Sequence, residues 1–548
     1  MPPHPIVEGG ARHEQHLAWL RDLNNMAKAA TQQSVLDLGL SATLSSNKLD
    51  AKLAKAFVIQ HATPRGLAEF AQQGKPQQEL IGKLLFADGL LVQMAAANGA
   101  KDGNYGRAAE IYSAIRKASN KSGEDPLHRL AIAISLEHAT PISQRNAVAK
   151  TDAPEFVDPV NRYLHYEKAF LDGELDPAFK DLSAWDLRMV VNGNEPDEIL
   201  AWGREMLRNY RPDHITTSDY RWRYVALVRS DIRYGSQDNK HDRDDLQFFQ
   251  NILKNGGICG RRAFIGRFIL RAFGIPTTAR PQKGHAALAH WTPDGWVVCL
   301  GAGWGSGWVD GRKSDLDFLE KTQARMAGAP FMQVKRAQWV GNLMGETEAY
   351  GLRSDNPEFW HAVSFYTQKR IIEEAEAKTL AAVGEDIGEA NVTKEKVEIT
   401  KVDIKEEDLK ISVDSNGVIT VPAIATSKPT KSTGRIIFMD SFGGGKQLHY
   451  GRTGGAQQFE YTFDAPAAGK YMLSGQVVTP SWQQSLMVTA NEGKAAELEL
   501  PHTVGMWEET KPLPVELVKG KNVLRFAHKA HGYEKGFSIK EFTLAPAG

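Results

Sequence analysis

At 548 residues, 42% hydrophobic and 24% charged, the chain is long enough for three or four domains with their own cores. Lysine plus arginine equal aspartate plus glutamate at 66 each, so no net field draws nucleic acid or an anionic membrane surface. No run of about 18 apolar residues marks a membrane span, and no cofactor fingerprint or metal-ligand spacing is visible.

The N-terminus, Met1-Pro2-Pro3-His4-Pro5, lacks the basic-then-apolar pattern of a secretory leader. Two cysteines in so long a chain suit a bacterial exported protein as well as any other. A periplasmic or extracellular location, with the leader absent from this chain, is the expectation. From His13 to Ala201 apolar residues recur at helical spacing, as in Leu49 to His61, Gln78 to Ala97 and Arg107 to Ser119, without a fixed repeat period. Residues 1–200 therefore read as an α-helical N-terminal region. Further helices are expected over Leu200 to Tyr210 and Ser218 to Tyr234. The second holds Trp222, Arg223, Tyr224 and Tyr234, residues that suit an acidic sugar polymer through charge pairing and ring stacking. His241, Asp242, Asp244 and Asp245 form an acidic run that reads as a solvated helix start rather than a cation site.

The chemistry concentrates in Asn255 to Trp296. Gly256-Gly257-Ile258-Cys259 opens a helix whose apolar residues, Ala263, Phe264, Ile265, Phe268, Ile269, Ala272 and Phe273, keep a 3.6 period. The free N–H groups and positive end of that helix favour an anionic sulfur on Cys259, a usable nucleophile. Gly274 ends the helix and Pro276 keeps it from resuming. His285 to Trp291 and Gly295 to Leu300 read as two strands joined by a turn at Thr292-Pro293-Asp294-Gly295. His285 and His290 are five apart, so they point to opposite faces of a regular strand, and His285, at the strand start, is the preferred base. Cys259 and Cys299 are the two cysteines; a disulfide between them would remove the nucleophile.

Residues Asp231 to Trp308 resemble the transglutaminase-like core of the papain-type cysteine-enzyme superfamily. Cys259 matches the nucleophile, Leu270-Arg271-Ala272-Phe273-Gly274-Ile275-Pro276 the helix exit, Ala279-Arg280 the following strand, His285-Ala286 the base and Trp296 the tryptophan of the next strand. The resemblance implies an orienting aspartate four residues beyond that tryptophan, where this chain has Leu300, and a glutamate where it has Ala289. Asp294, Asp310 or a backbone carbonyl are the groups left to orient the histidine. Arg280 and Trp291 join Trp222, Arg223, Tyr224 and Tyr234 as expected substrate contacts.

Asn356 to Leu380 reads as one long helix, Asn391 to Leu409 as a surface strand and Ser427 to Gly434 as a linker. From Arg435 onward, short alternating segments separated by turns predict an antiparallel β-sandwich. Its run Ala465-Pro466-Ala467-Ala468-Gly469-Lys470-Tyr471, the turn Lys519 to Asn522 and the strand Phe537 to Leu544 resemble jelly-roll carbohydrate-binding modules. Tyr450, Trp482, Trp507 and Tyr533 are its candidate sugar-stacking rings.

The chain thus reads as a multidomain α+β protein. Its parts are the helical region 1–200, the core 201–345, a helix, short strands and linker over 346–434, and the sandwich 435–548. The expected function is acyl transfer or hydrolysis on extracellular or cell-wall polymers by Cys259 and His285, without a cofactor or metal. Two alternatives stay open. One is elimination on an acidic glycan by a histidine or tyrosine base with an arginine, drawn from His285, His290, Tyr224, Tyr234, Arg223 and Arg280. The other is glycan or peptide binding without catalysis.

Overall fold

The computed structural model describes residues 17–19, 21–26, 39–40, 42–145, 154–235, 241–306, 313–384, 402–530 and 535–547. Two compact units emerge: 1–145 with 153–197 and 273–382, and 146–152 with 198–272 and 383–548. The expected 201–345 core is therefore divided between Ala272 and Phe273. Asp310 and Tyr533 lie outside the described residues, as does most of the expected Asn391 to Leu409 strand, whose end, Glu406–Leu409, is a 3-10 turn.

The first unit is mainly helical, and its helix starts follow from local chemistry. Thr63 Oγ1 accepts the Gly66 amide ahead of Pro64, Asp158 accepts the Asn161 amide ahead of Pro159, and Ser183 and Asp186 form a reciprocal capping box. Helices Asp50–Ala62, Asp88–Ala96 and Met332–Met344 pack together, and Met332–Met344 also packs on Phe359–Glu374. The last is shorter than the Asn356 to Leu380 expectation. One antiparallel sheet completes the unit, with β1 (Thr277–Gln282), β2 (His285–His290) and β3 (Val297–Cys299) in that order. Gly284, at φ +70°, makes the two-residue turn between β1 and β2. Thr292 and Gly295 exchange backbone hydrogen bonds in the turn before β3. Trp296, 1% exposed, packs edge-on against Phe318 at 5.1 Å and ties this sheet to the helical core.

In the second unit, helices Asp197–Tyr210, Phe248–Asn255 and Cys259–Ala272 accompany a β-sandwich. The segment Ser218 to Tyr234 is not the single helix its composition suggests. Asp219 accepts the Arg221 amide at 3.0 Å and pairs with the Arg221 side chain, Tyr224 sits at φ +64°, and a helix forms only over Ala226–Ser230.

One sheet of the sandwich runs β11 (Ala496–Leu500), β10 (Gln484–Ala490), β14 (Gly520–Ala530), β8 (Gln458–Ala465). The other centres on β9 (Gly469–Val478) and β15 (Phe537–Pro546). There β12 (Glu508–Glu509) and β13 (Leu513–Leu517) pair with β9, β5 (Ile419–Pro422) and β7 (Lys446–Tyr450) pair with β15, β4 (Ser412–Val413) extends β5, and β6 (Ile436–Asp440) extends β7. Alternation decides the inward face: Phe459, Tyr461 and Phe463 of β8 are buried while Glu460 and Thr462 are not. Phe526 stacks on Phe459 at 5.1 Å and on Phe542 at 4.6 Å in the centre. The sandwich starts before Arg435, because Ile419 and Val421 are buried and pair with β15.

This sandwich is fused to the helices of its own unit. Trp202 Nε1 donates to Val504 O at 2.8 Å, Gln447 Nε2 to Asn209 O at 2.8 Å and Ser538 Oγ to Tyr210 O at 2.8 Å. Beneath that contact lies a buried network of Arg211, Asp213, His214, Asp231 and His449. Burial, reinforced by Arg211, pushes the His449 imidazole down to about 3, and burial with Arg162 does the same to His138 in the first unit. Both rings stay neutral in the fold where an unfolded histidine, with pKa about 6.5, takes a proton. The unfolded chain thus binds more protons below that pH, and stability rises with pH between about 3 and 6.5. The expected slope is up to about 1.4 kcal/mol per pH unit for each ring. Urea titrations at pH 5 and pH 7 check it: His449→Gln should flatten the slope, and an unchanged slope would refute the assignment.

Candidate functional site

Cys259 begins a 14-residue helix in the second unit, and the two glycines before it are there for space and conformation. Gly256 has φ +76°, and a Cβ on it would lie 2.3 Å from Arg233 O; a Cβ on Gly257 would lie 2.5 Å from the Arg261 side chain. Gly257 N donates to Arg233 O at 3.0 Å, which anchors the turn into the helix. The Cys259 side chain is half-buried and is a free thiol, Cys299 is fully buried, and the two are not joined in a disulfide. On the following turn Arg261 pairs with Asp242 at 3.1 Å and Arg262 donates to Ile232 O at 2.8 Å. Asp242 thus serves to lock the helix, and the expectation of a solvated acidic run is corrected at that residue.

His285 opens β2 in the first unit, half-buried. Its Nε2 lies 2.6 Å from Leu300 O. A carbonyl only accepts, so Nε2 carries the proton and, in the neutral ring, Nδ1 keeps the lone pair. Leu300 is the position where the resemblance implies an aspartate, and here the main chain takes that place. It does so in a non-glycine left-handed conformation, φ +63°, which the surroundings must hold.

Arg280 supplies much of that hold. Its guanidinium, fully buried, donates to Ala302 O at 2.6 Å, Gly303 O at 2.7 Å and Asp315, while the Asp315 carboxylate accepts the Gly305 amide. One fork therefore pins the loop that follows Leu300. Arg280 is spent on this buried fork, at odds with its expected place among substrate contacts. Lysine cannot reproduce this fork. Arg280→Lys is expected to cost about 1–3 kcal/mol in thermal or urea unfolding, the cost of leaving buried acceptors unmet; a variant as stable as wild type would contradict it.

Other expected contacts are also corrected by burial. Trp222 and Tyr224 are 6% and 2% exposed, and Trp222 packs where a Cβ on Gly384 would come within 2.6 Å of its ring. His290 is fully buried with Nδ1 3.1 Å from Trp291 O, so it is a structural histidine rather than a base. Arg223, Tyr234 and Trp291 are half-buried: Arg223 lies over the Tyr220 ring at 4.2 Å, Tyr234 lies under Arg262 at 5.7 Å, and Trp291 packs on the first unit's core. In the sandwich, Tyr450 is 1% exposed and stacked on Phe537 at 5.0 Å. Trp482 is half-buried between Lys254, 4.3 Å from its ring, and Lys535, 5.2 Å away. Among the described residues of that set, Trp507, just before β12, is half-buried like Trp482 but has no lysine over its ring. Among the described residues no group of three histidine, cysteine or acidic side chains is placed to hold a metal ion, and no helix is long and apolar enough to cross a membrane.

No family model matches the chain, and no curated protein matches it. Among solved structures, the chain is similar to the C-terminal CBM6 of LamC from Zobellia galactanivorans. The identity is 15% over 23% of this chain and 98% of that one, with a TM-score of 0.20. A family 35 carbohydrate binding module from Clostridium thermocellum matches at 16% identity over 24% of this chain and 98% of that one, with a TM-score of 0.20. The GH26-CBM35 beta-(1,4)-mannanase of Podospora anserina matches at 18% identity over 24% of this chain, with a TM-score of 0.19; the chain spans 28% of that protein's length. The C-terminal β-sandwich resembles carbohydrate-binding modules, a likeness of fold at low score that carries no argument about a ligand.

Proposed function

We propose that the chain is a thiol-dependent enzyme of acyl transfer or amide hydrolysis with a transglutaminase-like core. In this reading Cys259 is the nucleophile and His285 the base, and the substrate is a polymer that carries carbohydrate. The observation that carries the reading is local to His285: the Leu300 carbonyl holds Nε2 and leaves Nδ1 as the proton acceptor, the task an orienting aspartate would perform. A free, half-buried thiol at the start of a long helix supports it from the other side. The Cys259 sulfur attacks the carbonyl carbon, and the base takes the thiol proton and returns it to the leaving amine. Helix N-terminal N–H groups stabilise the oxyanion, and water or an incoming amine then cleaves the thioester.

The thiol route has a direct signature. In a Cys299→Ala background, iodoacetamide is expected to abolish turnover by alkylating Cys259. Turnover that survives complete alkylation would sink the thiol route. Glycan binding by the sandwich is a separate part of the reading, and Trp507 is its candidate platform. Trp507→Ala is expected to weaken retention on insoluble polysaccharide several-fold, in keeping with about 0.5–1.5 kcal/mol for an aromatic contact; equal retention of both proteins would remove Trp507 from that role.

A further inference from the structure

The first unit contains a set of cations, Lys335 buried and Lys321 and Arg325 half-buried, that none of the chemistry above uses. Lys321 and Arg325 come from helix Asp315–Met326 and Lys335 from helix Met332–Met344, and all three line one small cavity of about 30 Å³. Lys335 is 4% exposed, yet its Nζ meets neutral amide oxygens, Asn98 Oδ1 at 3.1 Å and Gln338 Oε1 at 2.9 Å. Arg325 lies 4.4 Å from the rings of both Trp185 and Phe331; its Nη2 donates to Ala96 O and to the same Asn98 Oδ1, and its Nε is buried without a partner. Lys321 sits 4.0 Å over the Tyr350 ring. Among the described residues no carboxylate lies within ion-pair distance of any of the three, although Glu348, which is exposed, lines the same cavity. His361, 1% exposed on the same wall, gives Nε2 to Asn342 and has no partner for Nδ1.

Buried charges in proteins are normally paired, because desolvation without a counter-charge is costly. Here three cations and an open imidazole nitrogen share a cavity whose one lining carboxylate, Glu348, is exposed and forms no ion pair with any of the three cations. Asn98, held at φ +70°, also lines a second cavity of about 310 Å³ whose wall includes His61, Trp185, Arg188 and Asn192. That volume is at the lower end for small-molecule sites, too small for a polymer, and its wall mixes an aromatic face with donors and acceptors.

We propose that this double cavity binds a small anionic sugar, with its carboxylate or phosphate among Lys321, Arg325 and Lys335 and its hydroxylated ring in the larger chamber beyond Asn98. The groups that face Lys335 set the pH behaviour. They are Arg325 and Lys321 on one helix, His61 and His361 on two others, and Glu348 on the following loop. Burial, with Arg325 and Lys321, brings the Lys335 ammonium down to about 7 despite Glu348. An anion that needs the ammonium therefore binds more tightly at pH 6 than at pH 8.

The test uses the full chain carrying Cys259→Ala, so that the thiol plays no part. Thermal shifts and titration calorimetry are run with glucuronate, glucose 6-phosphate, inorganic phosphate and glucose. The expected result is that both sugar anions raise the melting temperature, more at pH 6 than at pH 8, and that glucose does not. Asn98→Asp places a carboxylate between Lys335 and Arg325 from within. It should raise the melting temperature of the unliganded protein and weaken anion binding at least about tenfold, and Lys335→Met should weaken it similarly. Anion shifts that match those of glucose, or that persist in both variants, would overturn the site. Phosphate binding as tightly as glucose 6-phosphate would overturn the sugar component.

Discussion

Cys259→Ala is expected to reduce acyl-substrate turnover by about four to six orders of magnitude, the loss seen when a covalent nucleophile is removed from a catalytic set. The substitution should leave the fold intact, because a half-buried side chain at a helix start is exchanged for the best helix former. Cys299→Ala is the matching control: the residue is fully buried in β3 opposite Leu288, so it bears on packing and not on chemistry. Activity is best read on peptides, glycopeptides and acidic polysaccharides together, by released amine and by the absorbance of unsaturated sugar. Amine release lost in Cys259→Ala and kept in Cys299→Ala would establish the thiol route. Unsaturated product surviving in Cys259→Ala would instead show that elimination is the reaction, and amine release unchanged by the substitution would remove Cys259 from catalysis altogether. His285→Gln should approach the effect of Cys259→Ala, since residues that act as one unit lose function together.

What the sequence discloses about this chain follows from how each structural decision is encoded. Alternation within Phe459 to Phe463 and a 3.6 period from Cys259 to Ala272 are local signals, and those elements fold where they are read. Composition misleads over Ser218 to Tyr234, where apolar and basic residues suit a helix but the Asp219 carboxylate captures the backbone and Tyr224 reverses its φ. Face is legible and cover is not. Tyr450 and Trp482 sit on a sandwich as expected, but stacked rings close over one, and Lys254, from a helix of the same unit, covers the other. The orienting group for His285 has no sequence signature at all, because the Leu300 carbonyl is common to every residue type. Likewise, the cations around Asn98 come from segments more than two hundred residues away from it, a separation no motif search spans.

Asp231→Ala is expected to destabilise the second unit by about 3–5 kcal/mol, the cost of breaking a buried ion pair from one side. The Asp231 carboxylate, 2% exposed, accepts from Tyr210 Oη at 2.6 Å, Arg211 Nη1 at 2.8 Å and Ser230 Oγ at 2.6 Å. Arg211 grips Asp213 with its other nitrogens at 2.9 and 2.7 Å, so the variant leaves a buried guanidinium half-compensated and a buried phenol unmet. Gly536 closes the network from the sandwich: a Cβ there would meet Tyr210 Oη at 2.2 Å and Asp231 Oδ1 at 3.1 Å, and Gly536→Ala should cost stability by the same route. Burial alone would raise the Asp231 carboxyl, yet Arg211, with His214 and His449, outweighs it and holds the group far below the usual carboxylate range. An aspartate depressed in this way lends stability above its unfolded value of about 3.9 and loses it on acidification below that point, so the acid limb of unfolding should be shallower in Asp231→Ala. Asp245→Ala, at an exposed pair with Arg243, is the control expected to stay within about 0.5 kcal/mol of wild type. Equal losses in the two variants would mean that the buried network does not hold the helices to the sandwich. A double variant, Arg211→Met with Asp231→Leu, should recover part of the loss, because apolar packing tolerates the site better than one charge left alone.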